Sequence, residues 1–325
     1  MKIAIIGGGW VGCHLALKLK EKHDITLFEK NAKLFTETSY KNQNRLHFGF
    51  HYARNHKTRQ MCKDTFNKFI ADYWFLTKEI TNNYYCIPNI KSVVDFETYK
   101  KIFKSFENNN VGNLFNDVEG CINTKERYID FNAAQTFFNK QLSEIIVHED
   151  ISKNKLITLS KKFDLVINAT NNHIKNTKVD SFYESTLTLL YTKIKPTNFD
   201  ALTLVDGEFF SIYPYDENRF TVTDVKLTPL KKFKSIKHLI KYNSDINEVL
   251  INKRKSLIEK NIVHYFPEFL NQFQYDNYFI STKSKIVSTS DSRYPIMEKD
   301  GNIINCFTGK IQGIYIIEDY INKFI

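Results

Sequence analysis

The sequence of 325 residues contains no run of eighteen apolar residues, which excludes an obvious helical membrane span. Its first residues enter an apolar strand at once, and cleavage of a signal peptide would remove that strand. We therefore expect a cytoplasmic protein. A composition of 42% hydrophobic and 14% aromatic residues is typical of a folded globule with one or two domains.

Cysteine is scarce, and none of the five cysteines belongs to a C-x-x-C pair. Their number is odd and their spacing is irregular, which is unlike a disulfide framework or a zinc site. We therefore predict reduced thiols and no metal site. The five positions are Cys13, Cys62, Cys86, Cys121 and Cys306.

The charge is unbalanced, with 46 Lys and Arg against 36 Asp and Glu and a formal net charge of +10. Most lysines are dispersed, and no nucleic-acid-binding motif accompanies them, so we expect no nucleic-acid partner. A solvated helical face explains the one local cluster, and an anionic substrate or partner is the alternative. That cluster comprises Lys226, Lys231, Lys232, Lys234, Lys237 and Lys241.

The N-terminal segment carries a dinucleotide-binding pattern. An apolar strand at 3–6 precedes Gly7-x-Gly9-x-x-Gly12, and a helical pattern and a second strand at 25–28 follow. In this motif the first glycine permits a tight turn, the second lets the backbone approach a pyrophosphate, and the third permits close helix packing. The pattern therefore predicts a βαβ unit that binds a cofactor containing ADP.

Glu29 ends the second strand, at the position where an acid binds both ribose hydroxyls. A carboxylate there would repel the 2′-phosphate of NADP, whereas FAD and NAD both remain possible. A βαβ unit that binds nothing is the alternative interpretation.

The rest of the chain alternates between helical and strand patterns. We expect helices at 56–78, 99–108, 233–243, 246–265 and 312–323, and one that begins after an Asp130 N-cap. We expect strands at 84–90, 92–96, 145–148, 165–170, 278–287 and 303–307, and several between 186 and 225. Cofactor-type segments occur at the start, middle and end, which predicts two interleaved domains.

Four landmarks together resemble the D-amino-acid-oxidase-like superfamily of FAD-dependent oxidoreductases. The first is the N-terminal βαβ unit, and the second is Thr38-Ser39-x-x-Asn42 with Arg45-Leu46-His47-Phe48-Gly49. The third is Tyr128-Ile129-Asp130 with the helix that follows it, and then Asp164-Leu165-Val166-Ile167-Asn168-Ala169-Thr170. The fourth, Phe307-Thr308-Gly309-Lys310-Ile311, is similar to the Gly-Lys turn of FAD-linked glycerol-3-phosphate dehydrogenases.

The resemblance implies an α/β fold, with a three-layer Rossmann-like FAD-binding domain and an α+β substrate domain that contains a mixed or antiparallel sheet. We assign residues 1–55, 128–185 and 286–325 to the FAD-binding domain. Residues 56–127 and 186–285 form the substrate domain. Asn171 replaces the glycine that usually follows Ala-Thr in the family, and asparagine tolerates a left-handed backbone.

The resemblance also implies which residues contact FAD. They are Gly7, Gly9, Trp10, Val11, Gly12, Glu29, Lys30, Ser39, Asn42, Arg45, Leu46, Val147, Ala169, Thr170, Gly309, Lys310 and Ile311. Backbone N–H groups after Gly309 and the charge of Lys310 suit the edge of a flavin that becomes anionic on reduction.

Candidate catalytic residues lie in the segment that starts at Arg45. Strand alternation would place His47 and His51 on one face with Arg45, and histidine is a plausible base near neutral pH. A structural role for both histidines is the alternative. Arg293 is a candidate anchor for a substrate anion. Further candidates for substrate contact are Tyr52, Arg54, Tyr213 and Tyr215.

We therefore predict an FAD-dependent oxidoreductase that oxidises a C–N or C–O bond of a small anionic substrate by hydride transfer to flavin N5. The electron acceptor stays open between oxygen and another carrier. Alternatives are a flavoprotein with mutase-like chemistry on a nucleotide sugar and a degenerate, non-catalytic binding protein. Only Trp10 and Trp74 are tryptophans, so the Trp-x-Trp-x-Ile-Pro segment of flavin halogenases is absent.

Overall fold

A computed structural model describes residues 1–104, 108–109, 114–174, 179–287 and 292–325. Two β-sheets dominate the fold. The first has six strands in the order β15-β16-β8-β1-β2-β7, and every neighbouring pair is parallel except β15–β16. The bounds are β1 Lys2–Ile6, β2 Asp24–Glu29, β7 Ile146–His148, β8 Leu165–Asn168, β15 Ile296–Asp300 and β16 Ile303–Phe307.

Both faces of this sheet are buried, which gives three layers. Ile3 and Ile5 of β1 point to one side, into a core shared with several helices, whereas Ala4 and Ile6 point to the other, towards Leu156. Strands covered on both faces read as continuous apolar runs, as β1 and β8 do. The helices are α1 Trp10–Leu19, α4 Phe131–Gln141 and α9 Ile314–Ile321 on the first side and α5 Lys153–Ser160 on the second.

The second sheet has ten strands. Its main path is β13-β9-β12-β11-β10-β4-β6-β3, with β14 also paired to β9 and β5 to β6. The pairings are antiparallel except for the parallel β10–β4 pair. The bounds are β3 Arg45–Leu46, β4 Thr77–Pro88, β5 Asn108–Asn109, β6 Val118–Ile129, β9 Ser181–Lys193, β10 Ala201–Leu204, β11 Phe210–Pro214, β12 Arg219–Asp224, β13 Pro229–Phe233 and β14 Phe273–Ile286.

Five further helices complete the fold: α2 His56–Tyr73, α3 Phe96–Ile102, α6 Ile236–Ser244, α7 Glu248–Tyr265 and α8 Phe269–Gln272. Short 3-10 helices cover Phe50–Tyr52, Trp74–Leu76 and Ile311–Gly313. No helix in the described ranges combines the length and apolarity that a membrane crossing requires. The predicted α/β architecture with a second mixed sheet is confirmed.

Several predicted elements have different bounds because of local capping. Asp130 is the N-cap of α4, as predicted, and its side chain accepts a hydrogen bond from the backbone N–H of Ala133. The strand expected at 92–96 is absent, because Asp95 caps α3 and the helix begins at Phe96. The helix expected at 99–108 therefore starts earlier and ends at Ile102, and part of the predicted range lies outside the described residues.

The prediction of reduced cysteines is wrong for one pair. Cys86 of β4 and Cys121 of β6 face each other across adjacent strands and form a disulfide, with their Cα atoms 4.1 Å apart. No local pattern indicates this pairing, because 35 positions separate the two residues and the strand β6 was not predicted. The other three cysteines are buried free thiols.

The two sheets meet along the segment that precedes β3. The side chain of Gln43 donates hydrogen bonds to Ser211 and Thr221 of the larger sheet, both at 3.2 Å. The hydroxyl of Thr38 donates to the backbone carbonyl of Thr282 in β14 at 2.8 Å. This segment therefore connects the end of the βαβ unit to the second sheet.

Candidate functional site

The glycine-rich loop between β1 and α1 is closely packed on two sides. A Cβ on Gly12 would lie 1.9 Å from the carbonyl oxygen of Gly7, and one on Gly7 would lie 2.8 Å from that of Ala169. Gly7 also has φ of +107°, a conformation that side chains disfavour. Because α1 begins directly after this loop, its unpaired N–H groups lie at the carboxyl ends of the parallel strands, where a phosphate can bind.

Ser39 lies against the second glycine of the motif. Its hydroxyl accepts a hydrogen bond from the backbone N–H of Trp10 at 3.2 Å, and a Cβ on Gly9 would lie 2.9 Å from it. The Trp10 ring itself packs in the core, with its centroid 4.9 Å from that of Phe35. Val11 also packs against this core. Trp10 therefore offers only its main chain to a ligand at the loop.

Glu29 lies beside the same loop and is only 8% exposed. Its carboxylate accepts hydrogen bonds from the backbone N–H groups of Gly8 at 2.7 Å and Asn31 at 2.9 Å. Lys30 forms an ion pair with Glu37 at 3.3 Å. Val147 is exposed on β7, which is an edge strand. The Glu29 carboxylate is thus fixed next to the glycine loop, as the dinucleotide-binding motif requires of a residue that would bind a ribose.

The turn after β8 closes the third side of the loop. The Ala169 N–H donates to the carbonyl of Ile6 at 2.9 Å, and the Thr170 hydroxyl donates to Asn168 at 2.8 Å. Asn171 has φ of +52°. The prediction that asparagine adopts the left-handed geometry of the usual glycine is therefore confirmed.

Two of the residues predicted to contact FAD, Asn42 and Leu46, have structural partners within the chain. The Asn42 side chain donates to the carbonyl of Thr38 and accepts from the N–H of Asn44, so it stabilises its own loop. Leu46 is fully buried in the apolar core.

Arg45 and His51 are in direct contact, but not by the predicted strand alternation. The strand β3 ends at Leu46, and His51 lies in the 3-10 helix Phe50–Tyr52, which folds back after Gly49 with φ of +93°. The Arg45 Nη1 atom lies 3.1 Å from His51 Nε2 and 2.9 Å from the Thr203 hydroxyl. A left-handed turn, rather than an extended strand, therefore brings these groups together.

His47 lies beside this pair and is 1% exposed. Its Nδ1 accepts a hydrogen bond from the N–H of Gly49 at 3.0 Å, so the proton of the neutral ring is on Nε2. Its ring centroid is 5.5 Å from that of His51. Burial, followed by the charges of Lys310 and Arg45, lowers the pKa of His47 well below its usual value. Burial and Arg45 do the same to the pKa of His51, so both rings are neutral at pH 7.

The C-terminal turn lies against these histidines. The Gln312 amide donates to the backbone carbonyls of His47 and Cys62, both at 2.9 Å. Lys310 Nζ lies 5.0 Å from the centre of the Tyr52 ring. A Cβ on Gly309 would lie 3.0 Å from Cδ of Arg293, which places that arginine beside the turn. Ile311 begins the 3-10 helix that precedes α9.

The other residues predicted to contact substrate lie in different parts of the structure. Arg54 forms a bidentate ion pair with Asp206, which occupies its guanidinium. Tyr213 is fully buried, and its ring lies 3.8 Å from Cζ of Arg45. It therefore belongs to the same group as Arg45, His47, His51 and Tyr52, which we call the histidine cluster. Tyr215 packs against Phe131 in a separate apolar cluster. The structure therefore brings Tyr52 and Tyr213 together with the histidines, whereas Arg54 and Tyr215 have other partners.

Sequence reasoning missed a buried carboxyl group next to the cluster. Glu126 of β6 is 1% exposed and accepts hydrogen bonds from Tyr85 and Asn83, both at 2.9 Å, and from the N–H of Phe48 at 2.8 Å. Burial raises its pKa to about 7 despite these hydrogen bonds. Its neighbours in sequence, Lys125 and Arg127, are charged, so the segment reads as solvent-exposed.

Lys283 of β14 was also missed. Burial, with the charges of Lys285, Lys310 and Arg293, lowers its pKa to about 8. A lysine in an alternating polar strand gives no signal in sequence, because its burial depends on elements that pack on that strand from elsewhere in the chain. Lys283, Lys310 and Arg293 together make this region strongly cationic.

The residues present fit FAD at both ends of the site. The glycine loop is as close to its neighbours as a pyrophosphate-binding backbone requires, and a fixed carboxylate lies beside it. In the cluster, Arg45 Nε, Arg45 Nη2 and His47 Nε2 are buried donors without a hydrogen-bond partner among the described residues. Unpaired buried donors are costly, and the acceptor-rich edge of a flavin or its substrate would satisfy them.

Comparisons with known proteins establish the family and the fold. The model of the FAD-dependent oxidoreductase (DAO) family matches residues 2–82. The FAD-dependent monooxygenase FPY4 of Fusarium mangiferae is 32% identical, over 99% of this chain and 90% of that protein. Among solved structures, L-α-glycerophosphate oxidase from Mycoplasma pneumoniae with FAD bound has a TM-score of 0.71 at 14% identity, covering 99% of this chain and 94% of that one.

Glycine oxidase from Geobacillus kaustophilus also has a TM-score of 0.71, at 10% identity, with 99% of this chain and 94% of that chain covered. At such identities the structures establish the fold, and the sequence relative establishes the family. The predicted family, FAD cofactor and enzymatic class are thereby confirmed. This chain belongs to the DAO family of FAD-dependent oxidoreductases.

Proposed function

We propose that this enzyme oxidises a C–N or C–O bond of a small anionic substrate. The observation that carries the proposal is the cationic group beside the neutral histidines. Arg293 lies against Gly309, Lys310 lies over Tyr52, and both lower the pKa of Lys283. Three neighbouring cations attract an anion, and neutral imidazoles near them can bind an oxygen or nitrogen atom.

The cofactor is held, in this proposal, by the two ends of the site already described. The pyrophosphate approaches the backbone at Gly7, Gly9 and Gly12, and the Glu29 carboxylate accepts hydrogen bonds from the ribose hydroxyls. The main chain of 309–311 and the Lys310 ammonium face the flavin. FAD, when bound, supplies a two-electron acceptor.

The protein side chains orient the substrate and control its protons. Arg293 binds the anionic group, because a guanidinium is permanently charged and can form two parallel hydrogen bonds with a carboxylate. His47 donates from Nε2, since its Nδ1 already accepts from Gly49. Tyr213, which is fully buried with its ring 3.8 Å from Cζ of Arg45, excludes water from that side of Arg45.

The test of the anion site is Arg293→Ala with a panel of amines, amino acids and hydroxy acids. We expect at least one panel compound to bleach the wild-type flavin without oxygen. In R293A its KM rises more than tenfold, because one charge-assisted contact is lost. Lys234→Met, an exposed lysine paired with Asp180, is the matched loss of one cation. An unchanged KM in R293A would contradict the anchor role.

A monooxygenase is the second candidate, since the relative from Fusarium mangiferae is named as one. The two reactions differ in the fate of oxygen. An oxidase releases one hydrogen peroxide for each substrate oxidised, whereas a monooxygenase places one oxygen atom in the product. Turnover under ¹⁸O₂ with mass spectrometry of the product separates them. We expect peroxide and an unlabelled product.

Non-redox chemistry remains an outcome of the same panel. If no compound bleaches the flavin but the dithionite-reduced enzyme isomerises a nucleotide sugar, the mutase alternative holds. A protein that binds no flavin even after reconstitution would indicate a degenerate binding protein.

The division into an FAD-binding domain and a substrate domain is also a proposal. The six-stranded sheet takes its strands from residues 2–29, 146–168 and 296–307. This distribution supports interleaved domains. Helix α2 begins at the proposed boundary, and its Phe66 and Phe69 pack in the core that contains Ile3.

A further inference from the structure

A hydrogen-bonded chain runs from the cluster into the interior of the larger sheet. It starts at His51, which is half-buried, and continues through the Tyr85 hydroxyl at 3.1 Å from His51 Nδ1. The same hydroxyl lies 2.9 Å from Glu126 Oε2. Tyr85 and Glu126 are 0% and 1% exposed, so the chain ends at a carboxyl group that water does not reach.

The donors and acceptors of this chain can be assigned at every contact. Arginine has no acceptor, so His51 Nε2 must accept from Arg45 Nη1. The proton of neutral His51 is therefore on Nδ1, from which it is donated to Tyr85. Tyr85 in turn donates to the Glu126 carboxylate. Every hydrogen bond points from the cluster towards Glu126.

Among the hydrogen-bond partners that the described residues provide to the Glu126 carboxyl group, only one can both deliver a proton to it and accept a hydrogen bond from it. Its other contacts, the N–H of Phe48 and the amide nitrogen of Asn83, are donors and cannot accept a proton from it. Tyr85 is consequently the neighbour through which a proton can reach Glu126 Oε2 and with which the resulting acid can hydrogen-bond.

We propose that Glu126 is the final acceptor of the proton that the substrate N–H or O–H group loses, with His51 and Tyr85 as the relay. The substrate takes the place of Arg45 at His51 Nε2, while the bond from Arg45 to Thr203 can persist. The substrate proton then binds Nε2, the Nδ1 proton passes to Tyr85, and the Tyr85 proton passes to Glu126. Each relay group ends neutral, and the carboxylate becomes a carboxylic acid.

The balance of charge supports this direction. Burial raises the pKa of Glu126 to about 7, so its carboxylate can hold a proton near neutral pH. Burial and Glu126 raise the pKa of Tyr85 well above its usual value, so Tyr85 relays without becoming an anion. The other titratable groups that interact electrostatically with Glu126 or His51 are Arg45, His47, Cys62, Tyr99, Tyr213 and Lys310.

This inference rests on the proposed oxidation of a C–N or C–O bond, because that reaction releases a proton from nitrogen or oxygen. It assigns a role to a residue that the substrate itself does not touch. Glu126 and Tyr85 are therefore tested by proton readouts as well as by rates.

The first experiment measures anaerobic flavin reduction from pH 5 to pH 9 in the holoenzyme, with the panel compound that bleaches it. The wild-type rate should fall below an apparent pKa of about 7, because the acceptor is then already protonated. In Glu126→Gln the rate of flavin reduction should fall about a hundredfold, and this pH dependence should disappear. In Tyr85→Phe the rate should fall by a similar factor. Tyr84→Phe, on the opposite face of β4, is the matched control and should keep the wild-type rate.

The second experiment follows Glu126 directly by infrared spectroscopy of the holoenzyme without substrate. A carbonyl band of a protonated carboxylic acid should appear as the pH falls through 7 and should be absent from E126Q. In Y85F the band should persist, because the carboxyl group is still present. With wild type at pH 8, reduction by substrate should produce the same band.

These results separate the relay from the proposed function. If no compound bleaches the flavin, the function fails, and the infrared titration still tests whether Glu126 takes up a proton near pH 7. The relay is overturned if E126Q or Y85F keeps the rate within threefold and the same pH profile. It is also overturned if the carboxyl band appears only below pH 5. Circular dichroism and flavin content identify a variant that fails to fold, and the wild-type titration then decides.

Discussion

Lys283 illustrates how the fold controls the charge of one residue. It lies in β14, two residues before Lys285, which forms an ion pair with Glu184 at 2.6 Å. Burial, followed by the positive charges of Lys285, Lys310 and Arg293, favours the neutral amine and lowers the pKa of Lys283 to about 8. The ammonium form therefore dominates below pH 8 and the amine above it.

This protonation predicts a pH-dependent affinity for anions. If the substrate is anionic, as proposed, the affinity of the reduced-flavin enzyme for the substrate or its product should fall as the pH rises through about 8, because Lys283 loses its charge. In Lys283→Met the affinity should be about tenfold weaker at pH 7, and the change near pH 8 should disappear. Fluorescence titration of the bound flavin measures the affinity. Lys234→Met is the surface control, and a pH dependence retained in K283M would contradict the assignment.

Among the elements, the β1–α1 unit depends on close contact between backbone atoms. Gly12 is the first-turn residue of α1 that lies nearest to the carbonyl of Gly7. Any side chain there separates the helix from the strand and moves the loop on which the pyrophosphate would bind. The requirement is steric, so even a methyl group violates it.

We therefore expect Gly12→Ala to lose most of its bound FAD. The Cβ would lie 1.9 Å from a backbone oxygen, which cannot be relieved by a side-chain rotation. The ratio of flavin to protein absorbance in the purified variant measures the loss. Gly301→Ala is the matched control: its φ is +58°, but no atom lies within 4 Å of the added Cβ. It should cost about 1 kcal/mol of stability and keep its flavin.

On the scale of the whole molecule, the proposed cofactor site joins distant parts of the chain. The glycine loop, the Glu29 strand, the Thr170 turn and the 309–311 turn come from residues more than 300 positions apart. A ligand that contacts all of them stabilises only the folded state. The stability of the protein should therefore depend on the complete FAD molecule.

Flavin removal tests this dependence. The flavin-free protein should melt at a lower temperature than the holoenzyme, and FAD at a thousand times its Kd should restore about 4 kcal/mol. FMN lacks the ADP part and cannot contact Glu29, so it should stabilise less. NADP should not stabilise, because the Glu29 carboxylate repels its 2′-phosphate. Equal melting temperatures with FMN and FAD would contradict a role for the glycine loop.

Much of the structure around the βαβ unit could be predicted from sequence, because its sequence signals are local. The glycine spacing, the acid at the end of β2 and the N-cap at Asp130 each act within one turn or one strand. The arrangement around the histidines was predicted only in part. His47 and His51 were named as candidates, but the turn at Gly49 that brings His51 to Arg45 was not predicted, because a left-handed glycine leaves no periodic pattern.

The sequence by itself determined the family, the FAD cofactor and the βαβ unit, since these depend on short-range steric and capping requirements that neighbouring residues satisfy. Only the tertiary structure decided that Cys86 bonds to Cys121, that Glu126 is buried and that Lys283 lies among other cations. Each of these depends on strands that are distant in sequence. Their pairing sets the burial and the local electric field, and these two quantities control the pKa of an ionisable group.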